Sequence, residues 1–357
     1  MSASLTNPSV VLKKIGEIVF ENRPIPEITD DHYVKLAIKK TGICGSDVHY
    51  YTHGQIGSFV VKAPMVLGHE SSGVVVEIGS KVTRVKVGDK VAIEPGVPSR
   101  YSDEFKAGQY NLCPHMAFAA TPPFDGTLAR YYLSPEDFLV KLPEHVSLEE
   151  GALVEPLAVA VHAAKRAGVR FNSRVIVFGA GPVGLLTAAT ARAFGATQVL
   201  VVDIFDQKLE TAKELGATHV LNSLKTKDFK KSVLELLGEE PNIVIEATGA
   251  EICIRNGIAV VKAGGSFVQV GMGQDNINFP ISELTAKEVL FTGNFRYSHG
   301  DYKDAVDLIS LKLLDVTKII SHRYSFAQAK EAYDNVLANP KDVVKTIIDG
   351  PEETAKL

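Results

Sequence analysis

The side chains best suited to chemistry lie in two glycine-bearing stretches. Thr41-Gly42-Ile43-Cys44-Gly45-Ser46-Asp47-Val48-His49 offers a thiol, a hydroxyl and an imidazole in close succession. Gly68-His69-Glu70-Ser71-Ser72-Gly73 sets a histidine beside a carboxylate, where glycines let backbone approach closely. A further acid, Glu155, interrupts the apolar run Leu153-Val154-Glu155-Pro156-Leu157, and a carboxylate in such company is seldom left without a partner. Cysteine, histidine and glutamate around an open position describe a catalytic zinc site and not a closed structural one. One histidine alone would carry little weight; several ligand-type residues in glycine frames carry more.

Two patterns position these groups. From Val10 to about Ile93 short β-rich runs (Val34 to Ile38, Ser72 to Ile78, Lys90 to Ile93) alternate with turn residues, which predicts an antiparallel, barrel-like domain with the ligand candidates on its loops. Phe118 to Thr127 reads as a pocket wall or as ordinary core with a Pro-rich turn, leading to a strand over Leu128 to Leu133. From Arg174 the pattern changes. The apolar run Val175-Ile176-Val177-Phe178 is followed by Gly179-Ala180-Gly181-Pro182-Val183-Gly184, a helical stretch, and a second strand, Val199 to Asp203. Strand, G-x-G-x-x-G, helix, strand and then an acid about 20 residues on form a dinucleotide-binding arrangement. The glycines turn the chain, admit a pyrophosphate and pack helix on sheet, while the acid holds the ribose hydroxyls. Asp203, with Ile204 and Phe205 after it and no arginine at hand, predicts NAD over NADP; Lys208 is an edge contact or a solvated helix charge. Four more strands, beginning near His219, Asn242, Ser266 and Val289, complete six parallel strands with crossover helices.

At 357 residues the chain suits two domains, expected to enclose a cleft. A formal charge of -4 gives no pull toward nucleic acid or anionic membrane, so the expected partners are small molecules. Cys44, Cys113 and Cys253 are too few and too scattered for a disulfide framework. No secretory leader or membrane-length apolar run is visible, so a soluble, cytoplasmic protein is expected. The final Ala355-Lys356-Leu357 is a near variant of the peroxisomal import tripeptide and offers that compartment as an alternative.

The motifs Gly-Ile-Cys-Gly-Ser-Asp and Pro-Met-Val-Leu-Gly-His-Glu, with Gly73, Gly79 and Val82 in register, resemble the zinc-containing medium-chain alcohol dehydrogenase family over nearly the whole chain. Glu155, where simple alcohol dehydrogenases carry a second cysteine, points to the polyol branch and to a likeness with fungal sorbitol and xylitol dehydrogenases. The resemblance implies a GroES-like β-rich catalytic domain (residues 1–160 and 297–357) and a Rossmann-type NAD domain (161–296), in an α/β chain that forms a homotetramer. It implies Cys44, His69 and Glu70 as zinc ligands, with Glu155 ligating the metal or holding its water, and Ser46 and His49 as a proton relay. It further implies Tyr50, Arg296 and Tyr297, with Phe118 and Thr121, at the polyol, and Val270, Gly271, Met272, Asn294, Phe295 and Arg296 on the nicotinamide side.

Many relatives close a structural zinc with four cysteines. Here that spacing holds Ser99, Ser102, Phe105 and Cys113, so one catalytic zinc per chain and no structural zinc is expected. The implied reaction is oxidation of a secondary hydroxyl to a ketose by NAD, through a zinc-activated alkoxide. The alternatives are an arabinitol or secondary alcohol dehydrogenase, or a non-catalytic NAD-binding protein of the same fold.

Overall fold

The computed structural model describes residues 6–352, so the C-terminal tripeptide lies outside the described residues. The chain forms two compact units, Met1–Glu155 with Ile320–Leu357, and Pro156–Ile319.

The first unit is built on the strand Tyr33–Gly42, whose alternate residues Val34, Leu36 and Ile38 point into a core with Val75, Val91, Ile93 and Leu139. This period of two is what burying one face of a strand requires. Tyr33–Gly42 pairs antiparallel with Glu70–Ile78, in a register that sets Gly42 opposite Glu70 and Thr41 opposite Ser71. On its other side it pairs antiparallel with Lys345–Asp349, Ile347 facing Gly42. The seven-stranded sheet runs Leu139–Lys141, Lys90–Ile93, Glu70–Ile78, Tyr33–Gly42, Lys345–Asp349, Ile320–Tyr324, with Tyr131–Pro135 also on Tyr33–Gly42. It is antiparallel except for its last pair, Ile320–Tyr324 with Lys345–Asp349, which is parallel. The strand expected over Leu128 to Leu133 begins later, at Tyr131, because Leu128 is engaged by loop hydrogen bonds to Val10 and Leu67. A second core gathers Val10, Leu12, Ile43, Tyr50, Tyr51, Leu67 and Tyr333 around the helices Gly45–His53 and Ala329–Ala338.

The second unit is a six-stranded parallel sheet in the order His219–Asn222, Gln198–Asp203, Arg174–Phe178, Ile243–Glu246, Ser266–Gln269, Leu290–Gly293. The chain starts in the middle, winds outward one way, then returns past its starting strand and winds the other way, which is the doubly wound topology expected. The strands are near-continuous apolar runs because helices cover both faces.

Residues 297–357, given to the catalytic domain by resemblance, divide between the two units. Residues up to Ile319 stay with the second unit, and only Ile320–Leu357 joins the first. Asp301, at the start of the helix Asp301–Ser310, explains the placement. It is 2% exposed, and its carboxylate accepts from His162 Nδ1, Lys165 Nζ and Ser298 N, each at 2.7 Å. These contacts tie the helix to His162 and Lys165, in the part of the helix Val154–Ala167 that belongs to the second unit.

Candidate functional site

Cys44, His69 and Glu70 converge: one ligand atom from each lies within 4.8 Å of the others, the only such cluster of three or more metal-ligating side chains among the described residues. Cys44 is the N-cap of the helix Gly45–His53, at the end of the helix dipole that favours negative charge. Glu70 opens its strand opposite Gly42, and a Cβ on Gly42 would overlap Glu70 Oε2. Only glycine leaves room for the carboxylate there.

Two residues to which sequence reasoning gave no part complete the surroundings. Asp47 is fully buried, and its Oδ1 stands 3.3 Å from His69 Nδ1 in an alignment short of a hydrogen bond. Lys345 reaches in from the far end of the chain. Its ammonium donates to Glu70 Oε1 at 2.7 Å, to Glu70 Oε2 at 2.6 Å and to the carbonyl of Ile43 at 2.9 Å, which uses all three protons. Burial works against the Lys345 charge, but Glu70 outweighs it and the pKa is raised. Burial likewise opposes a charged His69, yet Asp47 and Cys44 raise its proton affinity well above the usual value.

These residues fit a bound cation. Both Asp47 oxygens and His69 Nδ1 are buried without a hydrogen-bond partner, a cost that a positive ion on the far side of the imidazole offsets by polarising the ring N–H toward Asp47. The donor set of one sulfur, one nitrogen and one carboxylate suits zinc with a position left open. The Lys345 pair means that Glu70 has two claimants, the lysine and the metal.

The remaining candidates are distributed as follows. Glu155, 6% exposed, stands outside the three-residue cluster, although its charge acts on Lys345. Phe118 is buried beside the centre, its ring 5.6 Å from that of His69, and Thr121 is buried nearby in sequence. Ser46 and His49 sit three residues apart on one helix, hence on one face, with His49 exposed. Tyr50 is buried within the second core of its unit.

In the second unit the glycines divide the work as the motif requires. Gly179 turns with φ +98°, Gly181 has open space where a Cβ would stand, and a Cβ on Gly184 would strike the carbonyl of Gly179. Val183 lies in the first turn of the helix Pro182–Ala193. Asp203 Oδ2 accepts from Ala180 N at 2.6 Å, while Oδ1 accepts from Ile204 N and Phe205 N. The acid thus braces the glycine turn. Lys208 lies over the Phe205 ring at 5.5 Å. Val270 and Gly271 both donate to the carbonyl of Glu246, and Met272 is exposed. Asn294 and Phe295 follow the last strand; Arg296, at φ 54°, lies over Phe295, and Tyr297 is buried against Tyr302.

In the loop of residues 95–114, Ser102 caps the helix Asp103–Lys106 by accepting from Phe105 N at 3.1 Å, Ser99 accepts from Tyr101 N, and Cys113 is a buried free thiol.

Residues 30–144 match the alcohol dehydrogenase GroES-like domain family, and residues 182–311 match the zinc-binding dehydrogenase family. The chain is 62% identical over 353 residues to sorbitol dehydrogenase 1 of Saccharomyces cerevisiae, covering 97% of this chain and 99% of that protein. It is 55% identical over 362 residues to a D-xylulose reductase of Scheffersomyces stipitis, covering 97% and 99%. An Escherichia coli alcohol dehydrogenase solved with NADH shares the fold with a TM-score of 0.89 at 25% identity, over 97% of this chain and 100% of that one. The chain belongs to the zinc-binding medium-chain dehydrogenases, with a GroES-like unit and a Rossmann-type unit.

Proposed function

We propose that this chain is an NAD-dependent polyol dehydrogenase that oxidises a secondary hydroxyl to a ketone, as sorbitol to fructose or xylitol to xylulose. The observation that carries the reading is the Cys44–His69–Glu70 cluster, with an acid at position 155 in place of a second thiol, in a chain 62% identical to a sorbitol dehydrogenase. When bound, zinc supplies a Lewis acid for the hydroxyl and NAD accepts the hydride.

Cys44, His69 and Glu70 hold the metal. Asp47 fixes the orientation of His69, and Lys345 fixes that of Glu70. Glu155 acts by holding water or a substrate hydroxyl beside the centre, a role its place outside the ligand cluster supports. Carboxylate in place of thiolate makes the site harder and more tolerant of oxygen donors, which suits neighbouring hydroxyls. Phe118 walls the pocket and keeps it dry. Ser46 takes the proton released by the hydroxyl, and His49, one turn along and exposed, passes it to solvent. Gly179, Gly181 and Gly184 with the following helix receive the pyrophosphate, and Asp203 the adenosine ribose.

The test is NADH absorbance with sorbitol, xylitol and arabinitol, before and after chelation, with metal counted. Activity on sorbitol or xylitol that vanishes with the metal is expected, at about one zinc per chain. Activity surviving complete zinc removal would reject the mechanism, a count near two in protein dialysed free of excess metal would reject the reading of the 95–114 loop, and oxidation of none of the three would favour a binding protein.

A further inference from the structure

One pair of ligand-type side chains lies apart from the buried centre. His49 and His53 stand four residues apart on the exposed face of the helix Gly45–His53, the spacing that brings two side chains over one another. Their rings stack with centroids 4.4 Å apart and planes 19° from parallel. Thr52 holds one side of the His53 ring. Its Oγ1 stands 2.9 Å from the carbonyl of Val48, the back-bond a helical threonine makes, 3.3 Å from that of His49 and 2.7 Å from His53 Nδ1. With the hydroxyl proton on Val48, Nδ1–H donates to Thr52 and Nε2 is bare, the tautomer that a metal at Nε2 selects. An imidazole with one nitrogen held by a hydrogen bond and the other bare is the form that ligates metal.

We propose that His49 and His53 form a second, inhibitory site for a divalent cation of the zinc class. Two histidines separated by three residues have the spacing of zinc-site histidine pairs. On a helix that is already formed, both ligands are supplied with little ordering cost. With His53 held by Thr52, bringing both lone pairs to one ion takes a rotation of His49 about χ2, a soft torsion in an exposed histidine. Water completes the shell, so the ion exchanges readily and loads only when free metal is plentiful. Occupancy inhibits because His49 is then committed to the ion; this part rests on the reading of His49 as a proton carrier.

Zinc-loaded protein is dialysed against rising free Zn2+, and bound metal and polyol-dependent NADH formation are followed in the wild type, His53→Asn and Thr52→Ala. Expected are one additional equivalent in the wild type that His53→Asn lacks, weaker uptake in Thr52→Ala, and inhibition in His53→Asn only at about tenfold more Zn2+ or beyond. Basal activity of His53→Asn stays at the wild-type level. Equal uptake by wild type and His53→Asn overturns the site. Uptake that needs His53 but leaves activity unmoved overturns the inhibitory role. If no polyol is oxidised, the functional reading fails while the metal count still decides the site.

Discussion

Replacing Lys345 with methionine tests how the metal centre is held. Lys345 and Glu70 have side chains only 2% exposed, and the lysine spends all three protons on Glu70 and the Ile43 carbonyl. Methionine keeps most of the volume, so the change isolates the charge. In chelated protein Glu70 is then a buried carboxylate without a counterion, and breaking such a pair from one side costs about 3–5 kcal/mol. For an unfolding unit of about 190 residues that lowers Tm by roughly 6–20 °C. In the zinc-loaded protein the ion remains as a second partner for Glu70, so the loss should shrink by at least about 1.5 kcal/mol, tenfold in the folding equilibrium. Calorimetry of wild type and Lys345→Met, each with and without zinc, reads all four states. A loss below about 1 kcal/mol in chelated protein would refute the claim that the pair is dry and coupled. The same loss with and without zinc would show that Glu70 is not a metal ligand.

Three further outcomes follow from other contacts. Asp47→Asn removes the charge behind His69 and should weaken zinc binding about 10- to 100-fold, read by competition with a chromophoric chelator. Asp203→Ser combined with Ile204→Arg should move the preference in kcat/KM toward NADP; because Asp203 also braces Ala180, Ile204 and Phe205, the double variant should melt at a lower temperature, and an unchanged NAD preference would place ribose recognition elsewhere. Burial would raise the Glu136 carboxyl, but hydrogen bonds from His32, Thr83 N and Arg84 N lower it from 4.5 to about 2. A depressed carboxylate stabilises the fold above the unfolded value and loses that contribution as pH falls from 4.5 toward 2, so Glu136→Gln should flatten acid unfolding in this window, by about 1–2 kcal/mol after solvent screening.

Much of this was legible in the residues themselves. The second unit announces its strands as apolar runs punctuated by glycine, and its alternation of strand and helix appears as read, because parallel strands buried on both faces leave little ambiguity. Cys44, His69 and Glu70 could be picked out because each lies in a glycine frame. Lys345 could not: in Val343-Val344-Lys345-Thr346-Ile347 a lone lysine reads as the solvent side of a strand, and its partner is 275 residues away. Asp47 sat inside a recognised motif, yet nothing local marks it as wholly buried. The second unit runs on to Ile319 through a tie from Asp301 to His162 and Lys165 that spans more than 130 residues. Helical periodicity cannot report contacts of that range.

The strand carrying Lys345 is synthesised 275 residues after Glu70, yet it lies against the strand that leads into Cys44. A growing chain presents its thiol, imidazole and acid early, with Glu70 still lacking its ammonium partner until the strand Lys345–Asp349 has been made and can pair with Tyr33–Gly42. Assembly of the two halves is therefore ordered in time. The parallel sheet of the second unit, continuous in sequence, can form during translation, whereas the first unit, built from two separate segments, must wait for the second of them.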